Sequence, residues 1–343
     1  MPAAAAPEIA PLSFLPEPWQ AQARAARIST AALLAELGLT AADFAKGVIA
    51  DPAFPVMAPP HYRSLIRRGD PADPLLLQVL ARGEEALPQP GRLTDPLAEA
   101  DYRAAPGILR KYRSRALLIA SGACAIHCRY CFRRHTDYGA AMLTRSGEAE
   151  ALALIAGDPA IEEVILSGGD PLNLTDARLA ALVAAIAAIP HVTTLRLHSR
   201  TVMAIPDRVT PALVDLLGAT RLKVVLVTHS NHEREISAEV AQALGRLRRV
   251  GVTLLNQSVL LAGVNDDATR IAAHCRRLFA AGVLPYYLHL TDPVDGAAHF
   301  DVDAARARTI EAELRAALPG YLVPRVVREV PGEAGKTPLW ALT

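Results

Sequence analysis

Three of the chain's four cysteines lie within the eight residues CAIHCRYC. Cys124, Cys128 and Cys131 have the spacing C-x3-C-x2-C and directly follow a run of residues typical of a β-strand. A closed structural zinc site has four protein ligands, so His127 or His135 would have to complete one here. A 4Fe-4S cluster is normally held by four thiolates, so three cysteines leave one iron open to a substrate. The spacing favours this cluster over zinc and argues against a disulfide framework.

A second chemical signal is Lys336, in the stretch PGEAGKTPL. The chain has only four lysines beside 32 arginines, so a lysine among small residues suggests a role that arginine could not fill. A primary amine can condense with the aldehyde of pyridoxal phosphate, which a guanidinium cannot do, and Gly335 would leave room for that cofactor. Taken alone, Lys336 also fits an exposed lysine in a turn.

Composition restricts the classes of function. The 343 residues are 51% hydrophobic, which is enough for a large core in one or two domains. A net charge of +1 and a pI near 7.8 provide no broad basic surface for nucleic acid or an anionic membrane. The N-terminus lacks a signal-peptide pattern and the longest apolar run has 11 residues, so we expect a cytoplasmic protein without a membrane span. Cys275 lies in a helical pattern and is expected to be inert core.

The elements that must position these residues follow two patterns. Residues 1–110 predict a helical N-terminal domain with helices in STAALLAELG, AADFAKGVIA and DPLLLQVLARGEEAL, and with Thr30 or Thr40 as N-caps. In residues 111–300, β-rich runs alternate with helical segments, which predicts an α/β fold with a parallel barrel or sheet. Residues 301–343 predict a C-terminal extension with a helix, a strand and the tail that carries Lys336. The six predicted strands begin at Ala116, Glu162, Thr193, Lys223, Val252 and Tyr286.

A small polar cluster follows each of the six predicted strands. Turn chemistry alone favours such residues in solvated loops. A parallel β/α barrel, however, places the C-terminal ends of all its strands on one face, so we expect the six clusters to meet in one pocket. The clusters are SGACAIHCRYC, SGGDPL, HSR, THSNH, NQS and HLTDP.

The cysteine spacing, with Tyr130 before the last cysteine, resembles that of the radical S-adenosylmethionine enzymes. This resemblance implies a partial (β/α)6 barrel and a 4Fe-4S cluster whose open iron binds S-adenosylmethionine, which is cleaved to a 5'-deoxyadenosyl radical. SGGDPL then resembles the superfamily's glycine-rich segment, where Gly168 and Gly169 let the backbone approach the cofactor. The residues expected to bind S-adenosylmethionine are Tyr130, Ser167, Gly168, Gly169, Asp170, His198, Ser199 and Gln257.

From RRGDPADPL to PGEAGKTPL the chain resembles the lysine 2,3-aminomutase family. That family moves the amino group of L-lysine from C2 to C3 and regenerates S-adenosylmethionine. The resemblance implies that Lys336 forms a Schiff base with pyridoxal phosphate, and that Tyr112, Arg115, His229 and Gln257 also bind this cofactor. Arg133 matches the family's arginine for the substrate carboxylate, and Asp292 and Glu329 match the two acids that hold the ε-ammonium.

The chain departs from better-known family members at two points. Glu329 replaces an aspartate, and the sequence ends with KTPLWALT, where free-lysine aminomutases continue into a segment with zinc cysteines. With CFRRH, LLNQSVLL, PYYLH and GAAHF, these departures resemble the bacterial branch that makes (R)-β-lysine for elongation factor P. The branch implies a reductant such as flavodoxin or ferredoxin and a separate ligase for elongation factor P, and it leaves homodimer formation open.

Two alternatives remain at this level. An aminomutase for free lysine or for another amino acid, such as glutamate, would keep the fold and cofactors. Acids at 292 and 329 disfavour glutamate, because its side-chain carboxylate would meet like charges. A non-catalytic iron-sulfur or zinc-binding module is the alternative from another class.

Overall fold

The structure is a computed structural model that describes residues 19–342. Its ten strands form one sheet in chain order, in which β3 to β9 are parallel and β1, β2 and β10 are antiparallel to their neighbours. The strands are β1 (Arg103–Ala105), β2 (Ile108–Tyr112), β3 (Arg115–Ser121), β4 (Glu163–Gly168), β5 (Thr194–Ser199), β6 (Lys223–Thr228), β7 (Thr253–Val259), β8 (Leu284–His289), β9 (Arg325–Arg328) and β10 (Thr337–Pro338).

The α/β fold predicted from the strand spacing is confirmed. All six predicted strands form, as β3 to β8, and each begins within two residues of its predicted start. A seventh parallel strand, β9, comes from the C-terminal extension, and β1 and β10 are the two edges of this partial barrel. The predicted domain boundaries after residues 110 and 300 stay predictions.

Helices alternate with the parallel strands and cover the outer face of the sheet. Buried leucine, isoleucine and valine side chains of β3 to β7 pack against α6, α7, α9 and α10 in one large core. Cys275 lies buried in α11, in a second core with α12, as predicted. The helices are α1 (Trp19–Arg24), α2 (Thr30–Leu37), α3 (Pro60–Ser64), α4 (Pro74–Leu77), α5 (Tyr138–Ala141), α6 (Arg145–Ala156), α7 (Asp176–Ala187), α8 (Thr201–Ala204), α9 (Pro211–Ala219), α10 (Ala238–Arg249), α11 (Ala268–Ala280) and α12 (Ala304–Ala317).

The N-terminal helices pack on the loop that carries the cysteines. Leu33, Tyr62 and Leu75 share a buried core with Ala125 and Ile126, so this region covers the barrel at the end of β3. Helix α2 forms as predicted, but its N-cap is Ser29 and not Thr30. The hydroxyl of Ser29 accepts a hydrogen bond from the backbone N–H of Ala32. Residues 1–18 of the predicted N-terminal domain lie outside the described part of the chain.

The other two predicted N-terminal helices were wrong over most of their length. AADFAKGVIA forms only a 3-10 turn at Ala41–Asp43, with Thr40 as its N-cap, and DPLLLQVLARGEEAL forms α4 and a later 3-10 turn. The cause is tertiary: Val48 pairs with Arg82 in a β-bridge, and the N–H of Ile49 donates to the Ala81 carbonyl at 2.9 Å. Both segments are therefore extended where they meet. Between residues 19 and 342, every helix falls short of the length and apolar character needed to cross a membrane.

Candidate active site

The loop that carries the three cysteines directly follows β3. Its backbone forms a turn in which the N–H of Cys131 donates to the Cys128 carbonyl at 2.9 Å. Burial raises the pKa of Cys124 well above its usual value, and burial and the charge of Cys128 raise the pKa of Cys131 to about 12. Neighbouring cysteines add to the raised pKa values of Cys124 and Cys131, so these buried thiols need cationic compensation to ionise, which iron supplies. The three cysteines therefore fit a 4Fe-4S cluster.

Neither histidine offered for a zinc site is arranged to complete one. The ring of His127 stacks on Phe54 at 4.2 Å, and its Nδ1 lies 2.8 Å from the Pro55 carbonyl oxygen. Nε2 of His135 lies 3.1 Å from the carbonyl oxygen of Asp295. Within residues 19–342, no three or more His, Cys, Asp or Glu side chains are grouped as ligands of a single metal ion. The geometry gives no support to a closed zinc site.

The glycine segment after β4 lies directly against the cysteine loop. Gly168 has a φ of 110°, a left-handed conformation that favours glycine. A Cβ atom on Gly169 would lie 2.7 Å from the carbonyl oxygen of Ala123. The N–H of Gly169 donates to the Ser121 carbonyl at 2.7 Å, which joins the two loops. Glycine is thus required at both positions for the close approach of the two backbones.

Asp170 joins the ends of β4 and β5. Its buried carboxylate accepts the hydroxyl of Ser199 at 2.8 Å and the backbone N–H groups of Arg200 and Thr201 at 2.8 and 2.9 Å. A further N–H, from Leu172, is 2.9 Å away. These hydrogen bonds favour the ionised carboxylate, but burial outweighs them and raises the pKa of Asp170. The structure thus brings Asp170 and Ser199 together and turns their side chains toward each other.

A buried polar network surrounds Tyr130. Its hydroxyl oxygen lies 2.8 Å from Nε2 of His229, and it accepts Nδ2 of Asn231 at 2.5 Å. The Tyr130 hydroxyl also lies 3.2 Å from Oε1 of Gln78 in the N-terminal region. Burial, with the charge of Arg200, lowers the pKa of His229 to about 3, so this imidazole is neutral. The clusters after β3 and β6 therefore meet at Tyr130.

Arg133 forms a bidentate ion pair that sequence reasoning missed. Its Nε and Nη2 donate to the carboxylate of Glu99 at 2.8 and 2.6 Å, while Nη1 donates to the Gly168 carbonyl at 3.0 Å and the Ser167 hydroxyl at 3.2 Å. Burial would lower the pKa of Arg133, but the Glu99 carboxylate outweighs burial and the pKa is raised. The guanidinium fork is thus preset for a carboxylate, at the edge of the glycine segment.

Glu329 connects the two ends of the partial barrel. Nζ of Lys336 and Nζ of Lys111 each lie 2.5 Å from one of its carboxylate oxygens, and the Tyr112 hydroxyl donates at 2.7 Å. Burial opposes ionisation, but Lys336, Lys111 and Tyr112 outweigh it and lower the pKa of Glu329 to about 2. The guanidinium of Arg115 lies over the Tyr112 ring at 4.3 Å. The structure therefore brings together four predicted site residues, namely Tyr112, Arg115, Glu329 and Lys336. It adds Lys111, which was not predicted.

Buried polar atoms without a partner lie close to Lys336. They include Oδ1 of Asp292 and Nε2 of both His198 and His289. The charge of Lys336 opposes protonation of both histidines, whose pKa burial already lowers well below the usual value. Burial raises the pKa of Asp292 to about 7, although Lys336 acts in the opposite direction. Unpartnered donors and acceptors in a buried interior fit a polar ligand there. Gln257 lies on β7, in register with Tyr287 of β8.

The parallel barrel, the three-cysteine loop and the glycine segment together define a radical S-adenosylmethionine enzyme. A family model described as "Radical SAM superfamily" matches residues 118–275. Membership of this superfamily implies a 4Fe-4S cluster and S-adenosylmethionine as cofactors.

Relatives identify the family more narrowly. The chain is 48% identical over 286 residues to the L-lysine 2,3-aminomutase of Escherichia coli (strain K12), covering 83% of each protein. It is 46% identical over 305 residues to the L-lysine 2,3-aminomutase of Haemophilus influenzae, covering 89% of this chain and 90% of that protein. The enzyme of the same name from Clostridium subterminale is 37% identical over 82% of this chain and 67% of its own length. The chain therefore belongs to the L-lysine 2,3-aminomutase family, which consists of isomerases.

Proposed function

We propose that this protein converts L-lysine into (R)-β-lysine by moving the amino group from C2 to C3, with pyridoxal phosphate attached at Lys336. The observation that carries the proposal is the buried Oδ1 atom of Asp292, which has no hydrogen-bond partner within residues 19–342. A buried, unpaired carboxylate oxygen is costly unless a cation joins it. The ε-ammonium of lysine is such a cation, whereas the side-chain carboxylate of glutamate would be repelled.

Each side chain has a distinct task in this proposal. The cluster with S-adenosylmethionine supplies a radical, and pyridoxal phosphate supplies the carbonyl carbon that carries the migrating nitrogen. Lys336 would provide the primary amine that tethers the second cofactor until the substrate amine replaces it, and Tyr112, Arg115, His229 and Gln257 would line its site. Arg133 binds the substrate carboxylate, in exchange for the carboxylate of Glu99.

Attachment of the cofactor also prepares the second acid. In the structure Lys336 occupies one carboxylate oxygen of Glu329 at 2.5 Å, and Lys111 occupies the other at 2.5 Å. While its amine is tethered to pyridoxal phosphate, Lys336 would not compete for Glu329 as lysine enters; that amine would be released when the α-amino group of the substrate takes its place on the cofactor. That oxygen of Glu329 then accepts the ε-ammonium beside Asp292, while Lys111 keeps the side chain in position.

The test is an anaerobic assay of the reconstituted protein with dithionite, S-adenosylmethionine, pyridoxal phosphate and L-lysine, with α- and β-lysine resolved by chiral chromatography. We expect (R)-β-lysine only when all components are present, and no β-glutamate when L-glutamate replaces lysine. Cleavage of S-adenosylmethionine with unchanged lysine would leave the radical site intact and refute the substrate. β-Glutamate as the main product would favour the alternative aminomutase.

We further propose a biological role for the product. We assign the protein to the cytoplasm and its product to the modification of elongation factor P by a separate ligase, with flavodoxin or ferredoxin as reductant. The support is the resemblance to that bacterial branch. β-Lysylation of elongation factor P in a deletion strain, measured by mass spectrometry, should disappear and return on complementation. An unchanged level would refute this role but not the reaction.

A further inference from the structure

The end of β5 places an arginine against the cysteine loop. Nη1 of Arg200 donates to Sγ of Cys128 at 2.8 Å and to the Tyr130 hydroxyl at 2.8 Å. In residues 19–342, Arg200 is the one side chain whose nitrogen donates to a cysteine sulfur. The contact joins residues 72 positions apart, so no local motif indicates it.

Buried partners fix the guanidinium in this position. Nη2 of Arg200 donates to Oε1 of Gln78 at 2.7 Å and to Oε2 of Glu235 at 2.9 Å. The side chains of Arg200 and Glu235 are 6% and 0% exposed. The other oxygen of Glu235 accepts the backbone N–H of Asn231 at 2.8 Å. Because every partner is itself anchored, Arg200 cannot turn away from the sulfur without leaving a buried charge unpaired.

We propose that Arg200 raises the reduction potential of the 4Fe-4S cluster through its hydrogen bond to Cys128. Hydrogen bonds to cluster sulfurs and nearby charge are two factors that set such potentials. When the cluster accepts one electron from a reductant, which is thereby oxidised, its negative charge grows by one. The guanidinium then interacts more strongly with the reduced cluster than with the oxidised cluster, which favours reduction. This proposal rests on the cluster alone and does not depend on lysine as the substrate.

Two variants should shift the potential in opposite directions. Glu235→Gln leaves the charge of Arg200 uncompensated, so we expect a more positive midpoint potential. Arg200→Met alone would strand the buried carboxylate, so the second variant is the double substitution Arg200→Met/Glu235→Gln. It removes the group nearest the sulfur, and we expect the ratio of reduced to oxidised cluster at a fixed potential to fall about tenfold, equivalent to about 59 mV for one electron.

A matched control removes another buried arginine together with its half-buried carboxylate partner. The side chain of Arg208 is 0% exposed, its Nη1 lies 2.7 Å from Asp176, and its other contacts are backbone carbonyls and the ring of Trp19. Arg208→Met/Asp176→Asn should therefore keep the wild-type potential. The potentials are measured by redox titration followed by electron paramagnetic resonance, on protein without S-adenosylmethionine or lysine.

A measurement on the wild-type chain covers the case in which a variant fails to fold or to bind iron. Arginine labelled with 15N at both Nη atoms should show hyperfine coupling to the reduced cluster, because Arg200 contacts a cluster sulfur. A double variant that binds four irons at the wild-type potential would overturn the proposal, as would equal shifts in the Arg208 control. If no variant assembles a cluster, absence of 15N coupling in the wild type overturns it and its presence supports it. A failed lysine assay with these shifts intact would count only against the proposed function.

Discussion

The pKa of Asp292 leads to a measurable pH dependence of lysine binding. Burial raises this pKa to about 7, and the charged groups that act on it are Lys336, Glu329, Arg328 and Glu99. Below pH 7 the carboxyl group is protonated and cannot pair with the ε-ammonium, so affinity should be lost as the pH falls. With a pKa of about 7, the ionised fraction is about one tenth at pH 6 and about nine tenths at pH 8. Lysine affinity should therefore rise about tenfold over this range.

Glu329 should contribute nothing to this change. In the structure Lys336, Lys111 and Tyr112 lower its pKa to about 2, and Lys111 and Tyr112 remain beside it once Lys336 is tethered, so it should be ionised throughout the range. Tethering Lys336 to the cofactor removes a charge that lowers the pKa of Asp292, so the observed midpoint should lie at or above about 7.

The assay compares L-lysine with L-norleucine, which has the same carbon chain without the ε-ammonium. Dissociation constants are measured between pH 6 and pH 8.5 on the pyridoxal phosphate-loaded protein. The ratio of the two constants cancels the titration of the substrate's α-amino group. In the wild type this ratio should change about tenfold, and in Asp292→Asn it should be flat. A flat ratio in the wild type, or the same slope in the variant, would refute the role of Asp292.

Three further predictions concern the cofactors. Cys124→Ala should lose the iron, the sulfide and the broad cluster absorbance, whereas Cys275→Ala should retain them. Lys336→Ala should lose the absorbance of protein-bound pyridoxal phosphate, whereas substitution of the exposed Lys223 by alanine should retain it. Retained absorbance in Lys336→Ala would show that the cofactor is not attached to Lys336. Gly169→Ala should fold, as judged by circular dichroism, but bind S-adenosylmethionine more weakly, because the added Cβ would lie 2.7 Å from a carbonyl oxygen of the cysteine loop and displace it. Wild-type affinity in equilibrium dialysis would contradict this reasoning.

Local patterns predicted the barrel and the residues at its strand ends. The β-rich runs of β4 and β6 lie between helical segments at regular spacing, and such short-range alternation decides which residues form strands. A parallel barrel then brings the strand ends together, which explains why Asp170 meets Ser199 and Tyr130 meets His229.

Long-range partners could not be predicted in the same way. Glu99 pairs with Arg133, and Lys111 pairs with Glu329 across 218 positions of the sequence. An isolated glutamate or lysine carries no signal of its partner, because the ion pair depends on where the fold brings two distant segments. The contact of Arg200 with Cys128 could not be predicted for the same reason. The sequence places HSR at the end of a strand, but whether the arginine points toward Cys128 depends on tertiary packing.

The most direct test of the joint action of the cysteine loop and Lys336 follows nitrogen from C2 to C3 of lysine. The reconstituted protein is incubated anaerobically with dithionite, S-adenosylmethionine, pyridoxal phosphate and L-lysine labelled with 15N at the α-amino group and 13C at C3, and the product is analysed by nuclear magnetic resonance. We expect a one-bond 15N–13C coupling at C3 in the wild type, and no such product from Cys124→Ala or Lys336→Ala. Label that stays at C2 while S-adenosylmethionine is cleaved would contradict the joint action of the cysteine loop and Lys336 on lysine.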